Sequence, residues 1–229
     1  MPSYSAVTAA REPNFLLARH EKRLLRAIAA RLPRWILPDD LTALGVAAAI
    51  GICIAYQATN ASRAWLWVAS GLLVVHWLGD SLDGTLARVR GIERPRYGYY
   101  LDHLVDAIST ACIGLGLGLS PFMLLSTGAL IVVAYLMLSI NVYLESYALG
   151  RFSIGYGRIG PTEVRIVLIA LNTALALGAG LDFRVAGVGM TAFDVVALAI
   201  AAVMCSLLAG RAVANLRALR REEPAAPRT

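Results

Sequence analysis

Residues 79–109 read GDSLDGTLARVRGIERPRYGYYLDHLVDAIS. Asp80 and Asp83 stand three apart and so share one helix face. Asp102 and Asp106 stand four apart and share a face of the next helix. The connection between them is short and arginine-rich, which predicts neighbouring helices with all four carboxylates converging at one level. Converging carboxylates repel one another and are costly near lipid. Hard divalent cations answer that repulsion, and oxygen ligands without His or Cys select Mg²⁺, Mn²⁺ or Ca²⁺ over zinc. Four carboxylates can hold two such ions, an arrangement that clamps a phosphoryl centre. The competing reading is a set of salt bridges to Arg88, Arg90, Arg94 and Arg96. Gly84, Ala87 and Gly98 weigh against it, because small residues there open room for a ligand between helices.

Around this stretch the chain reads as a membrane protein. Its 229 residues are 58% hydrophobic, with a mean hydropathy of +0.65. The apolar residues gather into long runs at about 41–58, 64–86, 97–119, 121–145, 162–180 and 188–212. Each run is long enough to cross the hydrocarbon core. The first of them starts near Leu41, too late for a cleavable signal peptide. Upstream, Ile28, Leu32, Trp35 and Ile36 interleave with Arg19, Lys22, Arg23, Arg26, Arg31 and Arg34, which predicts a basic amphipathic helix at the membrane interface. His20 belongs to its polar face, and Pro38, Asp39 and Asp40 end it and cap the next helix. The expected fold is an all-α integral membrane protein of six transmembrane helices with an N-terminal amphipathic interfacial helix. Residues 1–37 form the cytoplasmic, interfacial segment, 38–215 the six-helix membrane domain and 216–229 a cytoplasmic tail, disordered after Glu222.

The formal net charge is +6, and Lys22 is the sole lysine beside the arginines. These charges flank membrane segments, so they orient the chain in the bilayer and imply no nucleic-acid partner. With both termini inside, the cytoplasmic pieces hold the N-terminal cluster, the arginines of the second connection, Arg151, Arg158 and Arg165, and the C-terminal cluster. Only Arg63 and Arg184 remain outside. Cys53, Cys112 and Cys205 lie inside apolar runs with no CxxC spacing and read as packing residues.

The run from Asp80 to Asp106 resembles the CDP-alcohol phosphotransferase signature: D-x2-D-G-x2-A-R, then about eight or nine residues, then G-x3-D-x3-D. Asp80, Asp83, Gly84, Ala87, Arg88, Gly98, Asp102 and Asp106 match every specified position. The stretch LPDDLTALG at 37–45 is similar to the family's proline–asparagine–x–leucine–threonine opening, with Asp39 in the asparagine's place. The resemblance implies that Asp80, Asp83 and Asp102 ligate two divalent cations, Mg²⁺ or Mn²⁺, that hold the CDP pyrophosphate. It implies that Asp106 touches one metal and acts as general base on the acceptor hydroxyl. Gly84, Ala87 and Gly98 would make room for the nucleotide, and Arg88 would support the phosphates or the helix ends. It further implies a homodimer. The base role is chemically reasonable, since an alcohol is a poor nucleophile until its proton is taken.

Two features favour a CDP-linked small head group, CDP-ethanolamine or CDP-choline, as donor and a lipid alcohol as acceptor. His103 follows Asp102, as in the choline- and ethanolamine-phosphotransferases, and would bond Asp102 or the acceptor hydroxyl. The run LESYALGRFSIGYGRIGPTEVRI at 144–166 is similar to the same branch, with Glu145, Tyr147, Thr162 and Glu163 in similar places. Glu145, Tyr147 and Glu163 could meet a choline or ethanolamine cation, or instead cap helices and anchor them at the interface. Arg151, Arg158 and Arg165 are candidates for the opposite case, a phosphorylated acceptor. The alternative enzyme is a CDP-diacylglycerol-dependent phosphatidyltransferase acting on a small polar alcohol. A cation transporter would spread its carboxylates over several helices near mid-bilayer, and a structural scaffold gives no reason for their spacing. His76, one turn before Asp80, is expected to make an internal hydrogen bond. The arginine- and alanine-rich composition points to a bacterial inner membrane, with the site facing the cytoplasm.

Overall fold

The computed structural model describes residues 18–150, 160–180, 182–185 and 187–224. Arg151 and Arg158 lie outside the described residues. Helices run over Ala18–Ala29 (α1), Pro38–Ala58 (α2), Trp65–Arg90 (α3), Pro95–Gly118 (α4), Leu125–Leu149 (α5), Pro161–Ala176 (α6) and Ala192–Glu222 (α7). A hairpin of β1 (Asp182–Val185) and β2 (Val188–Thr191) precedes α7, pairing Asp182 with Thr191 and Val185 with Val188.

Local chemistry sets the helix boundaries. Pro38 opens α2 with the backbone angle a first turn needs, and the Asp40 carboxylate accepts the Leu37 N–H at 2.8 Å. Gly91, at φ 63°, ends α3 in the left-handed conformation that only glycine adopts freely, and Pro95 starts α4 four residues later. This tight reversal brings the C-terminal end of α3 beside the start of α4. Thr191 caps α7 by accepting the Phe193 N–H at 3.1 Å, while Asp194 accepts the Thr191 N–H at 2.9 Å. Asp194 also accepts the Leu124 N–H at 2.9 Å, which ties the start of α7 to the α4–α5 connection.

Helix α2 packs against both α3 and α4, whereas α3 and α4 share few close backbone approaches. The expected direct packing of the two carboxylate helices is therefore replaced by a cleft between them, floored by α2. Helix α6 packs on α3, α5 on α4, and α7 on α5. The main core joins Ile52 and Tyr56 of α2, Leu66 and Leu73 of α3, Leu117 of α4, Phe122, Leu175 of α6 and Phe193 of α7. It fills the end of the bundle opposite the carboxylates. A smaller core joins Leu25 and Ala29 of α1 to Leu41, Leu82 and Leu86.

Five helices, α2, α3, α4, α5 and α7, are long and apolar enough to cross a membrane. On α5, Val133, Met137, Ile140 and Leu144 form an exposed apolar stripe that a bilayer would cover. Helix α6 has 16 residues, which at about 1.5 Å each is shorter than the ~30 Å hydrocarbon core. The expected fifth span thus falls short in helical length, because Leu177 and Gly178 end the helix before residue 180. Residues 188–191 leave the expected last helix and form β2 instead, and α7 continues to Glu222, past the tail boundary expected at 216. Helix α1 keeps its basic exposed face, with Lys22, Arg23 and Arg26 outward, while its apolar face packs on α3.

Candidate active site

Asp80 from α3 and Asp102 and Asp106 from α4 each bring one carboxylate oxygen to within 4.8 Å of the others. They do so because i, i+4 spacing stacks the two α4 carboxylates on the face that looks across the cleft at Asp80. Asp102 is the most open of the three, its side chain 54% exposed, and Asp80 is mostly buried. The fourth carboxylate is turned aside. Asp83 accepts the Thr42 hydroxyl of α2 at 2.6 Å and the Gly84 N–H at 2.5 Å. The expectation of four carboxylates at one point is thus met by three, with the fourth held next to them.

Of the arginines in the α3–α4 connection, Arg88 lies within electrostatic reach of Asp102, while Arg90 and Arg94 bond elsewhere. Arg94 pairs with Asp39 at the start of α2, and this raises its pKa further. Arg90 donates to the carbonyls of Ile36, Leu32 and Pro33 and so staples the α1–α2 connection to α3. Arg88 donates to Thr85 at 3.3 Å and lies over Gly84, where a Cβ would meet its guanidinium at 3.4 Å. A further cation reaches the cluster from α6: Arg165 donates to Asp80 at 2.6 Å. Ala87 is half-buried, and around Gly98 nothing lies within 4 Å of a built Cβ, so the mouth of the cleft is open on the α4 side.

His103 has its Nδ1 2.7 Å from the Tyr99 carbonyl, so that nitrogen carries the proton and donates. The ring packs between Tyr99, at 4.2 Å, and Tyr143, at 5.1 Å, with the Asp102 carboxylate 3.8 Å from Nδ1. Glu145 is engaged elsewhere, accepting two bonds from Arg211 and one from Asn215 of α7. Tyr147 is 88% exposed, and Glu163 accepts the Gly160 N–H at 2.9 Å as the cap of α6. The group expected to meet a head-group cation is therefore divided between helix pairing, helix capping and the surface. His76 departs from expectation as well: it is 3% exposed, and among the described residues neither ring nitrogen has a hydrogen-bond partner.

Three features escaped the sequence reading. Thr42 orients Asp83; its place in the LPDDLTALG opening was visible, but its partner 41 residues away was not. Gly79 lies against the α2 backbone at Gly45 and Leu41 so closely that no side chain fits. Glu21 of α1 accepts from Trp77 of α3 at 2.6 Å and from Thr162 of α6 at 2.9 Å, joining α1 to α3 and to the helix that carries Arg165.

The donor set suits a hard cation. It is made of carboxylate oxygens, closely spaced and half-open, with the Arg165 guanidinium bonded to Asp80. A model of the CDP-alcohol phosphatidyltransferase family matches residues 35–208, which spans α2 to α7 and holds all four aspartates. The chain is also 26% identical, over 144 residues, to the archaetidylinositol phosphate synthase of Pyrococcus horikoshii, an alignment that covers 62% of this chain and 73% of that one.

Proposed function

We propose, from the premise that this chain belongs to the CDP-alcohol phosphatidyltransferase family, that it transfers a substituted phosphate from a CDP-alcohol to a hydroxyl group and releases CMP. It is a membrane transferase of phospholipid synthesis, and the reading concerns its site and its substrates. The observation that carries the site is the convergence of Asp80 with Asp102 and Asp106 across an open cleft. Asp80, Asp102 and Asp106 would hold divalent cations, Mg²⁺ or Mn²⁺, with Asp83 completing a two-ion site once its carboxylate turns from Thr42. Bound there, the cations would neutralise the pyrophosphate and the charge that develops on CMP as it leaves.

The chain's own residues do the rest. Asp106 takes the proton of the acceptor hydroxyl, since it sits deepest on α4 and bears on the same space as Asp80. Gly84 and Gly98 put no side chain in the nucleotide's way, and Arg88 lies against Gly84, where it would support the phosphates. His103 presents Nε2 as its acceptor nitrogen, because Nδ1–H is fixed on the Tyr99 carbonyl.

For substrates, the reading is a small CDP-linked head group, ethanolamine or choline, and a lipid alcohol acceptor. The support is that Arg211, a cation near the carboxylate end, is already paired with Glu145. A neutral acceptor asks for no further cations. The second reading, a CDP-diacylglycerol donor with a small polar acceptor, draws on the name of the archaeal relative and on Glu145 being engaged by Arg211. Product analysis by mass spectrometry separates them. Purified protein with CDP-ethanolamine or CDP-choline and diacylglycerol should yield CMP and a phospholipid. Product only with CDP-diacylglycerol and a polar alcohol would replace the first reading with the second.

We read the topology as six crossings with both termini and the site on the cytoplasmic side of a bacterial inner membrane. Although α6 is short, it runs from Arg165 beside Asp80 to Leu175 in the core at the opposite end of the bundle. A second copy of the chain is the expected partner, through the exposed apolar faces of the bundle.

A further inference from the structure

Helix α6 is anchored to its neighbours away from the carboxylates. Asn172 donates to Ser70 of α3 at 3.2 Å and accepts from Tyr56 of α2 at 3.3 Å, all three residues being buried. Two helical turns nearer the cleft, on the same face, Arg165 reaches Asp80 at 2.6 Å, with side chains 12% and 19% exposed. Asp80 is also one of the three residues whose oxygens converge. The same carboxylate therefore serves the guanidinium and the cluster. One turn before Asp80 lies His76, 3% exposed, with both ring nitrogens unbonded among the described residues and within electrostatic reach of Arg165 and Asp80. A buried imidazole with no hydrogen bond is uncommon. Its neutral ring always carries one acceptor nitrogen.

We propose that Arg165 is a built-in counter-ion that competes with divalent cations for Asp80, and that His76 is the acceptor to which the guanidinium turns when the cations bind. This rests on the reading of Asp80, Asp102 and Asp106 as a cation site. The chemistry is a matter of charge and donors. Three carboxylates without a cation repel one another in a partly buried cleft, and Arg165 offsets one of them. A cation that takes the Asp80 oxygens repels the guanidinium and removes its acceptor. Five N–H donors in a buried place must then find another. Because Asn172 fixes α6, the change is confined to the Arg165 side chain, and among the described residues His76, whose ring nitrogens are unbonded, is a neighbour that can accept it. The exchange makes cation affinity adjustable: the metal binds only as tightly as it outcompetes Arg165.

The test is Mn²⁺ binding to the purified full chain in detergent, without nucleotide, read from the loss of the free-Mn²⁺ paramagnetic resonance signal. Arg165→Gln removes the competitor and should bind Mn²⁺ about ten-fold tighter or more. His76→Leu removes the alternative acceptor and should bind about five-fold more weakly. In the double variant the His76→Leu loss should vanish, because no guanidinium remains to be housed; a merely structural role for His76 would leave the loss in place. Asp102→Ala should weaken binding in every background. If Asp102→Ala binds as wild type does, the cation-site reading itself fails. If Asp102→Ala weakens binding but Arg165→Gln does not tighten it, the counter-ion inference fails alone. Should Arg165→Gln not purify folded, Arg165→Lys keeps the charge but loses the guanidinium bond to Asp80 and should still bind about three-fold tighter. Binding equal to wild type would overturn the inference.

Discussion

Gly79 and Gly45 meet across the α2–α3 contact, yet alanine at the two positions should behave oppositely. A Cβ on Gly79 would lie 2.7 Å from Gly45 N, 2.7 Å from Leu41 O and 2.8 Å from Gly45 Cα. All three are backbone atoms, so no side chain can yield and the helices must part by roughly 0.7 Å to restore ordinary contact. A Cβ on Gly45 would lie 3.5 Å from Asp80 N, which is already ordinary contact. Overpacking of this kind costs about 1–3 kcal/mol, offset by the ~1 kcal/mol that alanine gains over glycine within a helix. The net stability loss for Gly79→Ala is then about 0–2 kcal/mol. The larger effect is positional. Residue 79 adjoins Asp80, and Asp83 is held to Thr42 across the same contact, so both carboxylates move with α3. A shift approaching 1 Å at a reacting site costs about 10²-fold in rate. CMP release and thermal unfolding, measured on both variants, provide the comparison. Gly79→Ala should lose about two orders of magnitude in turnover with little loss of melting temperature, and Gly45→Ala should match wild type. Equal activity in the two would refute the reasoning that this contact sets the position of Asp80.

Thr42→Val takes the hydroxyl from Asp83 while keeping the shape of the side chain; it should lower turnover about ten-fold and stability by about 1–3 kcal/mol, and Thr42→Ser should restore both. Arg211→Ala leaves Glu145, 10% exposed, without its main partner; unfolding should show a loss of about 3–5 kcal/mol, much of it recovered when Glu145→Gln is added. For topology, Asn60→Cys in a background free of Cys53, Cys112 and Cys205 should be labelled only from the non-cytoplasmic side. Labelling of that position from the cytoplasm alone would contradict the six-crossing arrangement.

Much of this site could be read from residue spacing, because helical periodicity is a local rule. Asp102 and Asp106 had to share a face, and the short arginine-rich connection had to bring the helix of Asp80 beside theirs. What spacing could not give is which element supplies the remaining neighbours. Arg165 and Thr42 meet Asp80 and Asp83 from helices far away in sequence, and nothing local marks either as a partner. The same holds for Glu145, whose pairing with Arg211 depends on α5 lying against α7. The hairpin was missed for a different reason: Val188 and Met190 continue an apolar run, and composition alone merges them with α7. The T-x-x-D pattern of Thr191 and Asp194 was the available signal that the helix begins only at Ala192. Helix α6 was read as longer because Leu177 and Ala179 prolong its apolar run, although Gly178, at φ 90°, marks its end. Helix α1 shows the limit of amphipathicity as a guide: an apolar face states that it is covered, not whether lipid or protein covers it.

The account turns on Asp106 acting in chemistry more than in binding. The direct measurement pairs CDP-alcohol affinity, by calorimetry with Mg²⁺ present, with CMP release at saturating donor and acceptor, for Asp106→Asn and wild type. The account predicts that affinity falls no more than several-fold, because Asp80, Asp102 and Asp83 retain most of the charge, while turnover falls by about 10²–10⁴, the contribution of a positioned base. Turnover near the wild-type rate would place the base elsewhere, with His103 the first group to test. Loss of donor binding as complete as that of Asp80→Asn would make Asp106 a cation ligand only and contradict the base assignment.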